Sequence, residues 1–243
     1  MALVSEPTGA NMGGVYTNPY QLTINGLATW LACDDFATDI SNGDTWTAKV
    51  NTLSDAEGGA AKFTLAGVDI PTSPSTATPS SPAYTLAEMY DAAALIALQM
   101  LENPTAGSGN GDYSYAIWQI FDPIAYKGYS SSLSSSDIGN IATDLTDALQ
   151  WAHGSLTNLA GTPYASTNLG ELGNIVIYTP VYPAGGPNAG QVIPPGVGYP
   201  PGAQEFFGLV PEAPSPALLA FEFFVLLCGG LFFRRRLATA PGK

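Results

Sequence analysis

Residues 20–33 read Tyr20-Gln21-Leu22-Thr23-Ile24-Asn25-Gly26-Leu27-Ala28-Thr29-Trp30-Leu31-Ala32-Cys33, the pattern of a β-hairpin. Tyr20, Leu22 and Ile24 alternate with polar residues, Asn25-Gly26 supplies the two positive-φ positions of a type I′ turn, and Leu27 to Cys33 forms the return strand. This commits the first third of the chain to a sheet. Asn42-Gly43-Asp44 marks a second turn. Over the strand that follows, Thr45 to Leu53, Trp46, Ala48 and Val50 alternate with Thr47, Lys49 and Asn51, the two-residue period of a half-buried strand.

Helical periodicity takes over further on. Thr85 and Glu88 have capping-box spacing, and Leu86, Met89, Tyr90, Ala93, Ala97 and Met100 then recur every three or four residues until Asn103-Pro104. A second helix is expected after Gly111, with Asp112 as N-cap and Tyr113, Ala116, Ile117, Ile120 and Phe121 on one face. A third is expected from about Asp137 to His153, closed by Gly154 as its C′ residue. The last strand, Asn174 to Thr179, carries a continuous Ile-Val-Ile-Tyr run that predicts burial on both faces.

Residues 71–82, PTSPSTATPSSP, read as an exposed loop, and glycine and proline recur so often from Pro180 to Pro201 that 181–209 reads as a spacer. Strands, then helices, then a strand predict an α+β domain over 1–180. It is an antiparallel sheet or small β-sandwich flanked by about three helices, followed by a C-terminal membrane helix.

Charge narrows the partners. Up to Val210 the only cations are Lys49, Lys62 and Lys127, and against 18 acidic residues they leave a net charge of −15. Such a domain does not neutralise phosphates, so nucleic acid and anionic lipid are excluded as partners, while neutral glycans and cations remain open. Cys33 lies in the domain and Cys228 in the apolar tail, so no disulfide scaffold is expected. Met1-Ala-Leu-Val-Ser-Glu-Pro opens polar, and no export leader is read at this start.

The tail is the most specific segment. Ala217 to Phe233 is apolar apart from Glu222, and as a helix it would span roughly 25 Å, slightly less than a hydrocarbon core. Arg234, Arg235 and Arg236 follow, and the positive-inside rule puts them in the cytoplasm and everything before Pro211 outside. Val210-Pro211-Glu212-Ala213-Pro214-Ser215 stands just before the apolar run. A Pro-Glu-(Ala)-Pro element, an apolar helix and an arginine cluster in that order, within 210–237, resemble the PEP-CTERM sorting tail. Ala213 is an insertion into the family's usual Pro-Glu-Pro. The resemblance implies export, inner-membrane anchoring through 217–233, and processing by an exosortase near Pro211, Glu212, Ala213 and Pro214. The domain is then released to the cell surface or an exopolysaccharide matrix.

Catalytic constellations are sparse. His153 is the only histidine and sits at a predicted helix end, where an imidazolium favours the dipole. No His, Cys and carboxylate spacing fits a transition metal. Asp34, Asp35 and Asp39 lack an EF-hand pattern and read as a solvated acidic turn, so neither metal nor cofactor is expected. Cys33 reads as a buried small residue or a reactive thiol. Its setting, Leu31-Ala32-Cys33-Asp34-Asp35-Phe36, together with Ala116-Ile117-Trp118, resembles the thioester domains of bacterial surface adhesins. There, the resemblance implies, the cysteine is bonded to a glutamine two residues before Ala-Ile-Trp. Here that position is Ser114, which has no carboxamide, and Gln119 lies one position further round the helix.

Three functions stay open. The first is a non-enzymatic structural or adhesive protein of the cell envelope or matrix that meets exopolysaccharide or surface glycans. The second is a thioester-type covalent adhesin with a degenerate motif at Cys33 and Ser114, and the third a secreted glycan hydrolase working through paired carboxylates at Asp34 and Asp35.

Overall fold

The computed structural model describes residues 1–5, 11–17, 19–36, 38, 40–63, 84–105, 108–122, 128, 131–195, 197 and 203–210. The chain divides into Met1–Leu209 and Val210–Lys243. The expected membrane span, Pro211 to Pro214, the arginine cluster and the 71–82 loop lie outside the described residues. Among the described residues no helix is long and apolar enough to cross a membrane.

Six strands form one antiparallel sheet: β1 (Ala2–Ser5), β4 (Tyr20–Ile24), β5 (Leu27–Cys33), β6 (Thr47–Thr52), β7 (Ile175–Val181) and β8 (Phe206–Leu209). Their spatial order is β1-β4-β5-β8-β7-β6. β2 (Asn11–Met12) and β3 (Val15–Tyr16) make a separate two-stranded ribbon. The hairpin turn is as the sequence demands: Asn25 has φ 51° and Gly26 φ 87°, and Ile24 pairs with Leu27. The architecture is α+β with an antiparallel sheet.

After β6 a short turn, α1 (Leu53–Asp55), runs into a π-type turn over Ala56–Ala60. The helices proper are α2 (Leu86–Glu102), α3 (Ser108–Phe121) and α4 (Ser135–Ala152). α2 opens on the expected Thr85–Glu88 capping box, and Ser134 with Asp137 forms another on α4. Eleven of α2's residues are buried, more than one face of a helix can hold, because α2 lies between the sheet and the other two helices. Leu95, Ile96 and Leu98 are wholly enclosed, each worth about 1.5–3 kcal/mol over exposure.

The opposite face of the sheet is also covered. Tyr20, Leu22, Leu31, Cys33, Trp46, Tyr178 and Phe206 cluster there with Ile193 and Ala203 from the Gly/Pro-rich segment. That segment is therefore part of the domain and not the expected spacer: Val192 bridges to Val181, Ile193 is buried, and 206–209 is a central strand. Two further expectations are corrected. α3 starts at Ser108, so Asp112 lies inside it and accepts a bond from Asn140 Nδ2 (3.0 Å) instead of capping it. In β6 the expected alternation breaks after Ala48: Lys49 and Val50 are both exposed at the sheet edge while Asn51 is buried, since its amide donates to Thr179 Oγ1 (2.8 Å) and Ala60 O (3.2 Å).

Between α3 and α4, burial and then the charges of Asp112 and Asp147 raise the buried Asp144 carboxyl to about 7. The folded chain thus keeps a proton that the unfolded chain has released, so this group makes stability fall as pH rises from about 4 to about 7. In Asp144→Asn that fall should be smaller. Urea midpoints followed by tryptophan fluorescence across this range check it, and an unchanged slope in the variant would contradict it.

Candidate functional site

β5 ends where β8 begins. Leu31 pairs with Gly208, Ala32 with Phe207 and Cys33 with Phe206, and the pairing continues past both strands through Asp34 N–H to Glu205 O (3.4 Å). Gly208 makes this approach possible: a Cβ there would lie 2.9 Å from Tyr178 Cε2 and also collide with Leu31 Cδ2. Successive side chains point to opposite faces, so Cys33 and Gln204 emerge together on one face and Asp34 and Glu205 on the helix-bearing face.

On the first face Cys33 Sγ lies 3.3 Å from Gln204 Oε1 and donates to it; a second contact runs to Asp35 O at 3.4 Å. The Gln204 amide nitrogen donates to Asp35 O (3.2 Å) and Thr38 O. The carboxamide is thus held with its nitrogen clamped and its carbonyl towards sulfur. Trp118 Nε1 donates to Cys33 O (3.0 Å) and its ring packs on Phe36, with centroids 4.7 Å apart, so the Ala-Ile-Trp segment of α3 fixes the end of β5. A cleft of ≈ 440 Å³ opens here, lined by Cys33, Gln204, Asp35, Trp118, Tyr16 and Ser41 among others. Burial, then Asp35 and Asp34, push the Cys33 thiol up, which holds it protonated.

Where these strands end three carboxyls meet one ammonium, Asp34 and Glu205 on the helix-bearing face and Asp35 towards the cleft. Glu205 accepts from Lys62 N–H (2.7 Å) and Tyr90 OH (2.9 Å). Asp34 faces Glu205 with no donor aimed at either of its oxygens. Burial, then the Glu205 and Asp35 charges, push Asp34 well above the usual carboxylate range. Burial raises Glu205 as well, but hydrogen bonds from Thr179, Lys62 N–H, Tyr90 OH and Asp34 favour its charged form, so the shared proton sits on the Asp34 side of the pair. Lys62 Nζ pairs with Asp35 Oδ2, both side chains wholly buried, and donates to Ala203 O (3.2 Å).

The expected residues fall into place unevenly. Cys33 is buried as read, but Ser114 is not beside it. The Ser114 hydroxyl donates to Thr17 O, and Tyr115 OH to Met12 O (2.9 Å), which ties the β2–β3 ribbon to α3 at the rim of the cleft. Gln119 is buried with neither amide atom bonded. Asp34 and Asp35 are 0% and 1% exposed, not a solvated turn, and so enclosed a pair is poorly placed to bracket a sugar. Asp39 lies outside the described residues. His153 caps α4 and pairs with Glu88 Oε1 (2.6 Å) outside this cleft. Among the described residues no group of His, Cys and carboxylates could hold a metal ion.

Sequence reading missed Gln204, Glu205 and Lys62. The available signal was the polar pair Gln204-Glu205 before the apolar run Phe206-Phe207-Gly208-Leu209; the surrounding prolines and glycines concealed it. Compared with protein-family models, with curated proteins and with solved structures, the chain finds no match in any of the three.

In a Gln204→Ala chain the native Cys33 thiol should alkylate at about pH 8 at least about tenfold more slowly than in the same chain unfolded in urea. Rates measured with iodoacetamide and peptide mapping decide this, and equal rates would show the thiol to be unshielded.

Proposed function

We propose that this is an exported bacterial surface protein whose domain forms an internal thioester between Cys33 and Gln204 and uses it to attach covalently to nucleophiles on a neighbouring surface or matrix. The observation that carries the reading is the contact of Cys33 Sγ with Gln204 Oε1 at 3.3 Å, between residues 171 apart in sequence. A thiol pressed against a clamped carboxamide is the starting geometry for acyl transfer. Sγ bonds to Cδ of Gln204, the Cδ–Nε2 bond breaks, and the thiol proton leaves with the nitrogen as ammonia. An amine or hydroxyl entering the cleft then attacks Cδ, a new amide or ester bond forms, the C–S bond breaks, and the proton returns to sulfur.

Each electrophile is consumed once, so this is adhesion and not turnover. The net charge of −15 before the tail disfavours anionic partners and leaves amino and hydroxyl groups of exopolysaccharide or surface glycans as the fitting class. The PEP-CTERM-like tail supplies the location: a membrane helix over 217–233 as a temporary anchor, exosortase processing near Pro211 to Pro214, then release to the surface.

Two measurements on the full chain test this. Intact mass should fall short of the sequence mass by one ammonia, methylamine should add to Gln204 and free the Cys33 thiol, and Cys33→Ala and Gln204→Ala should each abolish both effects. A full mass with no methylamine uptake would falsify the thioester. For the tail, C-terminal mapping in hosts with and without an exosortase should show loss of 217–243 only when the enzyme is present; retention in both would remove the sorting reading.

A further inference from the structure

The thioester reading leaves a second buried reactive pair unused. Lys62 follows the π-type turn after β6 and its side chain enters the core from there; Asp35 lies just past the end of β5. Their charged atoms are in ion-pair contact and neither side chain has any exposed surface. Taking an ammonium and a carboxylate out of water is costly, and the Coulomb attraction offsets this only where the remaining donors and acceptors are satisfied. Here, apart from the Thr38 side chain, nothing bonds Asp35 Oδ1, and the Asp34–Glu205 pair adds a further negative charge on the adjoining side. An interior holding this many ionisable groups in so little space is an unusual way to build stability. It is a usual way to build reactivity.

We infer that Lys62 and Asp35 condense to an intramolecular amide, cross-linking the 53–63 turn to the end of β5. The step needs nothing beyond the groups present. Lys62 Nζ bonds to Cγ of Asp35, one Asp35 C–O bond breaks, and the two protons lost by the ammonium leave with that oxygen as water. Asp34 supplies the acid. It lies within electrostatic reach of both Asp35 and Lys62, and a carboxyl kept protonated in an apolar site can donate to the departing oxygen. One of the two ammonium protons then restores the Asp34 carboxyl, so that the net release is one water. Neither side chain of the pair has exposed surface, which limits the bulk water that would reverse the reaction. The product carries no charge, so the cross-link removes the buried ion pair itself.

This inference stands apart from the thioester, and the two are separable by mass, because one releases water and the other ammonia. Trypsin gives a direct readout, since the lysines before the tail are Lys49, Lys62 and Lys127. An amide at Lys62 blocks cleavage there. The digest of the full chain should therefore contain a branched species joining 1–49 to 50–127, lighter than its two parts by one water, and it should survive methylamine and hydroxylamine. Lys62→Arg keeps the positive charge yet cannot form the amide, so its intact mass should lack only the ammonia. Asp35→Asn should still cross-link, releasing ammonia instead of water, and in a Cys33→Ala background that is the only ammonia lost. Recovery of 50–62 and 63–127 as separate, unmodified peptides from the folded wild-type chain, with no water missing from its intact mass, would overturn the inference whatever the state of Cys33.

Discussion

The pairing of β5 with β8 brings the end of a strand laid down early in the chain against the start of the last one. Every group of chemical interest depends on it. Because side chains alternate along paired strands, a single register places the Cys33 thiol beside the Gln204 carboxamide on one face and Asp34 beside Glu205 on the other. A slip of one residue would exchange the two faces and bury a thiol among carboxyls. Gly208, wedged against Leu31 and Tyr178, and the bond from Trp118 to the Cys33 carbonyl both hold that register.

The two faces differ in character. On the cleft side the Cys33 thiol, pushed up by burial, stays protonated in contact with the Gln204 and Asp35 carbonyls. Around Lys62 the balance is electrostatic: one ammonium cannot neutralise three carboxyls, and the Asp34–Glu205 pair resolves the excess by sharing a proton. A low-dielectric site that must hold a proton is also one that can deliver it. The acidic composition of the chain and the shifted carboxyls of its interior thus have separate causes, the latter being local desolvation.

Local signals in the sequence were read well because their physics is local. Asn25-Gly26 adopts positive φ whatever surrounds it, and Thr85 with Glu88 closes its own capping box. What failed to show were features decided by distant partners. Asn51 is buried because Thr179, 128 residues away, offers it a hydroxyl; Val50 is exposed because β6 is the sheet edge. Gln204 looked like part of a linker because its prolines and glycines are typical of one, and only the insertion of 206–209 between β5 and β7 gives it meaning. Cys33 stands out in the sequence but its neighbour does not, since Ser114 is reached by spacing along a helix whereas the carboxamide in contact with Cys33 comes from Gln204, just ahead of β8.

That insertion has a consequence for the order in which the protein can assemble. β8 separates β1-β4-β5 from β7-β6, so until residues 206–209 arrive the sheet exists only as two halves with unpaired edges. Closing such long-range contacts is the slow part of folding. A chain emerging N-terminus first therefore passes through a stage in which Cys33 is made but has no carboxamide to meet, and the polypeptide remains unbraced and pliable. The contact between Cys33 and Gln204 therefore forms only as residues 206–209 dock. The order of the strands along the chain thus makes this contact one of the latest the domain can form.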